Sequence, residues 1–312
     1  MNFRKLKYLI TVAETRNITR AAETLYISQS ALSHYIKNVE EELGVLLFDR
    51  STTPISLTYA GQRYIESARN ILWENDRLTK ALRDITQHMT GKLTIGTSRD
   101  RASYMMPRLI PPFTVKYPGI DVEIYTGSRK NLMNVLRSGR VDMVLLPAAG
   151  KNDAMEQEFG SELIYTEELV LAVKKGTLSP SDDWKTTRAV SEDVLKNLSY
   201  YMLFQEHAMR TYCDSFFKKR KIHLHIKMEF SSNITCYRMA ATGMGAAIIP
   251  YLTTQMTNVE GEIDLFSLSD PASTWDVRMF YRKEEYIGKP EQDLIMIAKE
   301  GFSNEMLCNP IS

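Results

Sequence analysis

The sequence has little of what marks secreted, membrane-spanning or metal-dependent proteins. Its 312 residues hold three cysteines, Cys213, Cys236 and Cys308. They are odd in number and lack CxxC spacing, which excludes a disulfide framework and predicts free thiols in a reducing compartment. No apolar run approaches the roughly 20 residues that a membrane span needs. Met1-Asn2-Phe3-Arg4-Lys5 leads into an amphipathic stretch rather than a continuously apolar one, so the expectation is no secretory signal and a cytoplasmic location. The formal net charge is only +1, which implies no acidic partner by itself. No internal repeat or low-complexity tract is visible. Nor is there a Ser/His/Asp order, a phosphate-binding loop or an acid dyad, and no catalytic residue or cofactor is expected. His223 and His225 share one face of a strand by alternation but lack a third ligand at useful spacing, so no metal is expected. Cys213 and Cys236 read as buried free thiols rather than a redox pair.

What remains is an ordinary composition, 44% hydrophobic and 25% charged, over a length sufficient for two or three domains. The first stretch that asks for explanation is "LYISQSALSHYIK", residues 25–37. Before it, Leu6, Leu9, Ile10 and Ala13 follow helical spacing, and Asn17 or Thr19 can cap a second helix over 20–25. Tyr26-Ile27 makes a short connection. Ser28 then caps a third helix that runs to about Leu43 and stops at Gly44. Leu32, Ile36, Val39 and Leu43 form its buried stripe. Gln29, Ser30, Ser33, His34 and Lys37 occupy the other side, where Glu and Lys would be the better helix formers on a merely solvated face. Two short helices in this order make a helix-turn-helix, whose second helix enters a major groove and offers short polar side chains to base edges and phosphates.

"LFDRSTTPISLT" (47–58) reads as two short strands around a tip, a candidate wing. Thr58 can cap a long helix from Tyr59. On it Tyr64, Ala68, Ile71, Asn75, Leu78, Leu82, Ile85 and Met89 alternate spacings of four and three, a seam suited to pairing with a second chain, with Asn75 setting register. Gly91 is expected to close this helix. The pattern then changes. Strands at 92–96, 121–125 and 141–146 alternate with helices over 105–117, interrupted early by prolines, and 131–137, which predicts a parallel α/β sheet. A second α/β unit is expected from Glu168, with strands at 169–173, 200–204, 225–230 and 245–250 and helices over 208–219 and 235–242. The strand 275–281 and the helix after Pro290 return to the first unit. A chain that leaves one lobe and comes back to it makes a two-lobed receptor with a cleft.

Residues 3–65 carry in fixed order an Ala21-Ala22 pair, a Ser-Gln-x-Ala-Leu-Ser run at 28–33, a Leu-Gly-x-x-Leu-Phe-x-Arg run at 43–50 and a Leu-Thr-x-x-Gly run at 57–61. With these motifs the segment resembles the DNA-binding head of LysR-type transcriptional regulators. "GKLTIGTS", "YPGIDVEI", "SGRVDMVLL" and "ATGMGAAIIP" are similar to landmarks of that family's effector domain. Ser30 stands where the family often has Pro, Val39 where it often has Leu, and the wing tip lacks a basic residue that many members carry.

The resemblance implies an α/β protein overall: a winged helix-turn-helix over 1–58, a linker helix for dimerisation over 59–89, and an effector domain like the type 2 periplasmic binding proteins over 90–312. Its first lobe is expected over about 90–166 and 269–312, its second over about 167–268. The expected function is sequence-specific, effector-responsive regulation of transcription on double-stranded DNA at an inverted-repeat operator, by a homodimer that assembles to a homotetramer, with no membrane partner. A solute-binding protein and an enzyme built on the α/β domain are the rivals. DNA contact is expected from Gln29, Ser30, Ser33, His34 and Lys37, with Arg20 and Arg50 on phosphate and Ser28 at the cap. The resemblance puts the effector between the lobes, near Ser98, Arg99, Gly127, Ser128, Pro147, Phe204, Gln205, Asn233 and Thr235. With Arg99 the nearby cation, helix N-termini around it and few acids in these loops, a small anionic metabolite is the expected ligand.

Overall fold

The computed structural model describes residues 3–86, 90–148, 154–178, 190–257, 259, 262–268, 273–283 and 286–302. The chain divides into two compact units, residues 1–87 and 88–312.

In the first unit, α1 (Phe3–Thr15), α2 (Ile18–Thr24) and α3 (Gln29–Leu43) precede a two-residue hairpin of β1 (Phe48–Asp49) and β2 (Ser56–Leu57), and α4 (Tyr59–Thr86) follows. The helix ends are set locally. The Asn17 side chain caps α2, which starts at Ile18 with Thr19 already inside it, two residues earlier than expected. Ser28 caps α3 by accepting the Ala31 N–H, and Gly44 ends it in the left-handed conformation at φ +67°, where a residue without Cβ is unstrained. Leu9, Val12, Ala21, Ala22, Leu32, Ile36, Leu47, Phe48 and Ile65 make one core. Leu43, expected in the buried stripe, is 44% exposed, because the helix outruns the core by its last turn. Thr58 accepts the Gly61 N–H at the start of α4. Ala68 is buried against the head, whereas Leu78 and Leu82 are 59% and 52% exposed. The side chain of Ile85 and all of Met89, the last positions of the expected seam, lie outside the described residues.

The second unit is built on one nine-stranded mixed sheet, not the parallel sheet expected. Its strands are β3 (Gly91–Thr97), β4 (Ile120–Thr126), β5 (Met143–Pro147), β6 (Phe159–Lys174), β7 (Ser199–Leu203), β8 (His225–Phe230), β9 (Ala246–Pro250), β10 (Ile263–Ser267) and β11 (Thr274–Arg282). They run in the order β4-β3-β5-β11-β6-β9-β7-β8, with β10 also on β6. β3 is parallel to β4 and β5, and β7 is parallel to β8 and β9. β6, β10 and β11 make the antiparallel ladders. Gly91 does not close the linker helix but opens β3, at φ +140°.

The helices are α5 (Arg99–Lys116), α6 (Arg129–Arg137), α7 (Ala154–Glu158), α8 (Glu192–Asn197), α9 (Ala208–Lys219), α10 (Asn233–Ala241), α11 (Leu252–Gln255) and α12 (Lys289–Phe302). α5 starts six residues before the expected 105 and is not interrupted, although Pro107, Pro111 and Pro112 lie inside it. All three prolines are exposed, so the carbonyls they leave unbonded can meet water. Met105, Leu109 and Phe113 on the opposite face are buried, and that packing outweighs the proline penalty.

β6 explains why no break occurs at Glu168. Its first half, from Phe159 to Glu168, pairs with β11, and its second half carries β9 and β10. One core gathers Leu93, Ile95, Leu109, Phe113, Leu145, Val277, Met279 and Leu294. A second gathers Leu169, Leu171, Tyr200, Tyr201, Phe217, Ala247 and Ile249, and a smaller third, on the face of β5 and β11 opposite the first, gathers Leu132, Leu136, Val144, Leu146 and Phe280. Leu252 and Met256, expected in the second lobe, pack into the first core, while Trp275 of β11 packs into the second. No described helix is long and apolar enough to cross a membrane.

Candidate functional site

The polar face of α3 is presented as expected. Gln29, Ser30, His34 and Lys37 are exposed and Ser33 half-buried. Gln29 Nε2 donates to Ser33 Oγ at 2.9 Å, and Ser28 and Ser30 exchange a hydroxyl bond at 3.1 Å. These i,i+4 and i,i+2 contacts hold the side chains against the helix without burying them. Lys37 meets Glu41 at 3.6 Å with both groups well exposed, a pair that yields readily to a phosphate. Arg20 is exposed on α2.

Arg50 is less free than expected. Its Nη2 donates to Glu40 Oε2 at 2.9 Å, while the other oxygen of Glu40 accepts the Leu47 and Phe48 N–H groups at 2.8 and 3.1 Å. Glu40 is only 5% exposed. It therefore belongs to the head's interior, and Arg50 serves first as its counter-ion. Tyr26 was missed from the sequence: it sits in the turn before α3 at φ +55° and is 95% exposed. Nothing in its neighbours' spacing signals that exposure. Beside the hairpin, Leu46, Val45 and Gly44 line an open concavity of about 740 Å³ with Lys37, Glu41 and Arg50.

In the second unit, the parallel pairing of β3 with β4 and β5 places Ser98, Gly127, Ser128 and Pro147 at one edge of the sheet. Gly127 N–H donates to the Thr97 carbonyl at 3.2 Å. Ser128 caps α6 through the Asn131 N–H, whereas Ser98 leads α5 without a cap bond from its side chain. Arg99 is exposed. Arg129, not foreseen, donates to the Pro147 carbonyl and is a second cation at this edge. Phe204 and Gln205 follow β7 and are exposed, with Phe204 N–H on the Phe230 carbonyl at 3.0 Å. α10 starts at Asn233, two residues before the expected position, so Thr235 lies within its first turn, exposed. Asn233 Oδ1 is buried without a hydrogen-bond partner.

The two sets are joined by an acid that sequence reasoning passed over. Asp100 Oδ2 accepts from Ser232 Oγ at 3.0 Å and from Asn233 N–H at 3.2 Å. Next to it, buried Arg101 donates to Tyr165 Oη and, at 2.8 Å, to Glu167 Oε1, and Trp275 Nε1 donates to that same oxygen at 2.7 Å. Burial works against the guanidinium charge, but Tyr165 and Glu167 more than compensate and hold its pKa above the usual value.

The two described thiols are buried. Burial pushes both Cys213 and Cys236 up to about 12, so each is protonated near neutral pH. Cys308 lies outside the described residues. His223 precedes β8 rather than sharing the strand with His225, whose Nδ1 bonds Ser199 Oγ at 2.9 Å.

A winged helix-turn-helix head followed by a mixed sheet with separate cores toward its two ends and helix starts at its strand ends defines a class: a DNA-binding regulator with a small-molecule receptor module. The family comparisons agree. The model of the bacterial regulatory helix-turn-helix protein, lysR family, matches residues 3–62, and that of the LysR substrate binding domain matches residues 86–303. The chain belongs to the LysR family. A hydrogen peroxide-inducible genes activator from Haemophilus influenzae is 26% identical over 286 residues, 90% of this chain and 91% of the relative. The dual regulator OxyR of Escherichia coli is 28% identical over 81% of this chain and 80% of its own. Among solved structures, a full-length OxyR variant from Pseudomonas aeruginosa matches with a TM-score of 0.72 at 22% identity, covering all of this chain and 96% of the other. The protein is thus a DNA-binding transcriptional regulator with an effector-binding domain, and its relatives are regulators rather than enzymes.

Proposed function

We propose that the protein is a cytoplasmic regulator that binds an inverted-repeat operator in double-stranded DNA through α3, as a homodimer that assembles to a homotetramer. The presented face of α3 carries this reading. Four exposed polar side chains lie in its first three turns, on a helix capped at both ends and packed by Leu32 and Ile36. Gln29, Ser30, Ser33, His34 and Lys37 face the major groove, and Arg20 lies on phosphate. Ser28 keeps the cap, and Arg50 reaches a phosphate only at the expense of its bond to Glu40. The exposed Leu78 and Leu82 on α4 are covered by the α4 of a second chain.

The effector is a small anionic molecule held between the two cores by Ser98, Arg99, Gly127, Ser128 and Pro147 on one side and Phe204, Gln205, Asn233 and Thr235 on the other. Several relatives are named as hydrogen peroxide-inducible activators. In this chain the two described thiols are buried and protonated, which favours ligand binding over thiol oxidation as the switch.

The test is equilibrium binding to operator and to random DNA at one salt concentration. Gln29→Ala and His34→Ala should each weaken operator binding by about 1–3 kcal/mol and leave random-DNA binding unchanged. An unchanged gap between the two DNAs for both variants would reject α3 as the reading helix.

A further inference from the structure

We propose that Asp100 is a latch of the effector crevice: its carboxylate fastens the start of α5 to the start of α10 and holds the two sides together. This rests on the reading that the space between the two cores takes the effector. α5 packs in the first core through Met105, Leu109 and Phe113. α10 packs in the second through Cys236, Tyr237 and Ala240. The bonds from Ser232 Oγ and Asn233 N–H to Asp100 Oδ2, 3.0 and 3.2 Å long, cross from one to the other between residues 132 and 133 positions apart.

The residues at both ends are committed to this contact. Ser232 is the N-cap of α10, yet its hydroxyl makes no cap bond within its own helix and is donated to Asp100 instead. A helix start leaves N–H groups unpaired and favours a negative charge, and here the chain's own acid supplies it. The other end cannot drift with the ligand side alone. Arg101, the next residue, is bonded to Tyr165 and Glu167. Glu167 in turn pairs across the sheet with Trp275, at the point where β6 and β11 pass between the cores. The α5 start is thus anchored at the crossing on one side and at α10 on the other.

The latch has a consequence for the ligand. Two donors at the α10 start, Ser232 Oγ and Asn233 N–H, are already bonded to Asp100, so an effector carboxylate reaches those two only by displacing it. Otherwise it is directed to the starts of α5 and α6, where Ser98 has no cap bond and Arg99 is exposed. A ligand shifts the balance between latched and open forms only by its differential affinity for the two.

Hydrogen exchange read by mass spectrometry on the full-length, effector-free protein tests this. Asp100→Ala should speed exchange at least tenfold in the peptide over residues 232–236, and also in crevice peptides over 127–131 and 204–207, with β3 and β9 unchanged. Asp100→Asn, which keeps an acceptor but loses the charge, should fall between the two. Unchanged rates at 232–236 overturn the latch, and so does a change confined to 232–236, which would make Asp100 a helix cap and nothing more. If Asp100→Ala does not fold, Asp100→Asn decides both questions. No effector is present in this experiment, so its failure leaves the effector reading standing, and a failed effector reading leaves these rates as they are.

Discussion

Helix α3 of the head and helix α10 of the effector module begin in opposite ways. Ser28 closes α3 onto itself through the Ala31 N–H, three residues on. Ser232 leaves α10 open and gives its hydroxyl to Asp100, 132 residues back in the chain. A self-capped start needs no distant partner, so α3 is preformed and its polar face is left over for an external one. An uncapped start is completed only by another part of the fold, and whatever completes it is coupled to the arrangement of both parts. The reading surface is therefore local and stiff, while the ligand-sensing region is assembled across the sequence and can be exchanged. That division suits a regulator whose DNA specificity stays fixed while its activity is switched.

The largest expected effect tests whether the head is complete alone. Leu82 is half-exposed in a single chain, so Leu82→Glu should leave the monomer folded. In a dimer it would place a charge in an apolar seam, at a cost of several kcal/mol, on the order of 100-fold or more in affinity for a two-half-site operator. Sedimentation of a fragment ending near residue 87 reads the outcome; an unchanged dimer would remove α4 as the pairing surface.

Next comes the buried acid that ties α3 to the hairpin in the head. Glu40→Gln keeps one acceptor but loses the charge that Arg50 and two backbone N–H groups share. A loss of about 1–3 kcal/mol in the head's stability is expected, the scale for hydrogen bonds to a charged group whose partner is half exposed. Denaturant unfolding measures it. A negligible change would mean that the hairpin after α3 stands without this buried acid.

The smallest effect belongs to the effector module, where contacts are spread over many elements. Asp293 on α12 accepts from Tyr117 Oη at 2.6 Å, and Lys116 and Lys289 lie at 2.5 and 2.8 Å. Burial alone would raise its pKa, but Lys116, Lys289 and Tyr117 hold it well below the usual carboxylate value. A depressed folded-state pKa adds stability above the unfolded value, near 4, and loses it as pH falls below that toward the folded value. Asp293→Asn should thus cost about 2 kcal/mol at pH 7, with the gap to wild type constant down to about pH 5 and shrinking below pH 4. Thermal unfolding across pH checks the sign; a gap that grows in acid would contradict it.

The legible parts were those written in short-range spacing. The cap at Ser28, the stop at Gly44, the stripe of Leu32 and Ile36, the strands around the wing tip and the start of α4 at Tyr59 all depend on residues within a few turns of one another. The expectations that failed needed information from elsewhere. α5 runs through three prolines because Met105, Leu109 and Phe113 have a core to enter. β6 shows no break because both of its halves find partners from distant strands. Asp100 was passed over because its neighbours in sequence do not reveal Ser232.

By itself, then, the sequence determined the helix-turn-helix, its polar face and the family, since caps, apolar periodicity and ordered motifs act over short range. Only the tertiary structure decided that Arg50 is held by Glu40, that the sheet is mixed, and that an acid stands at the start of α10. Each of these depends on which groups the folded chain brings into hydrogen-bond distance from ten to more than a hundred residues apart, and periodicity carries no record of that.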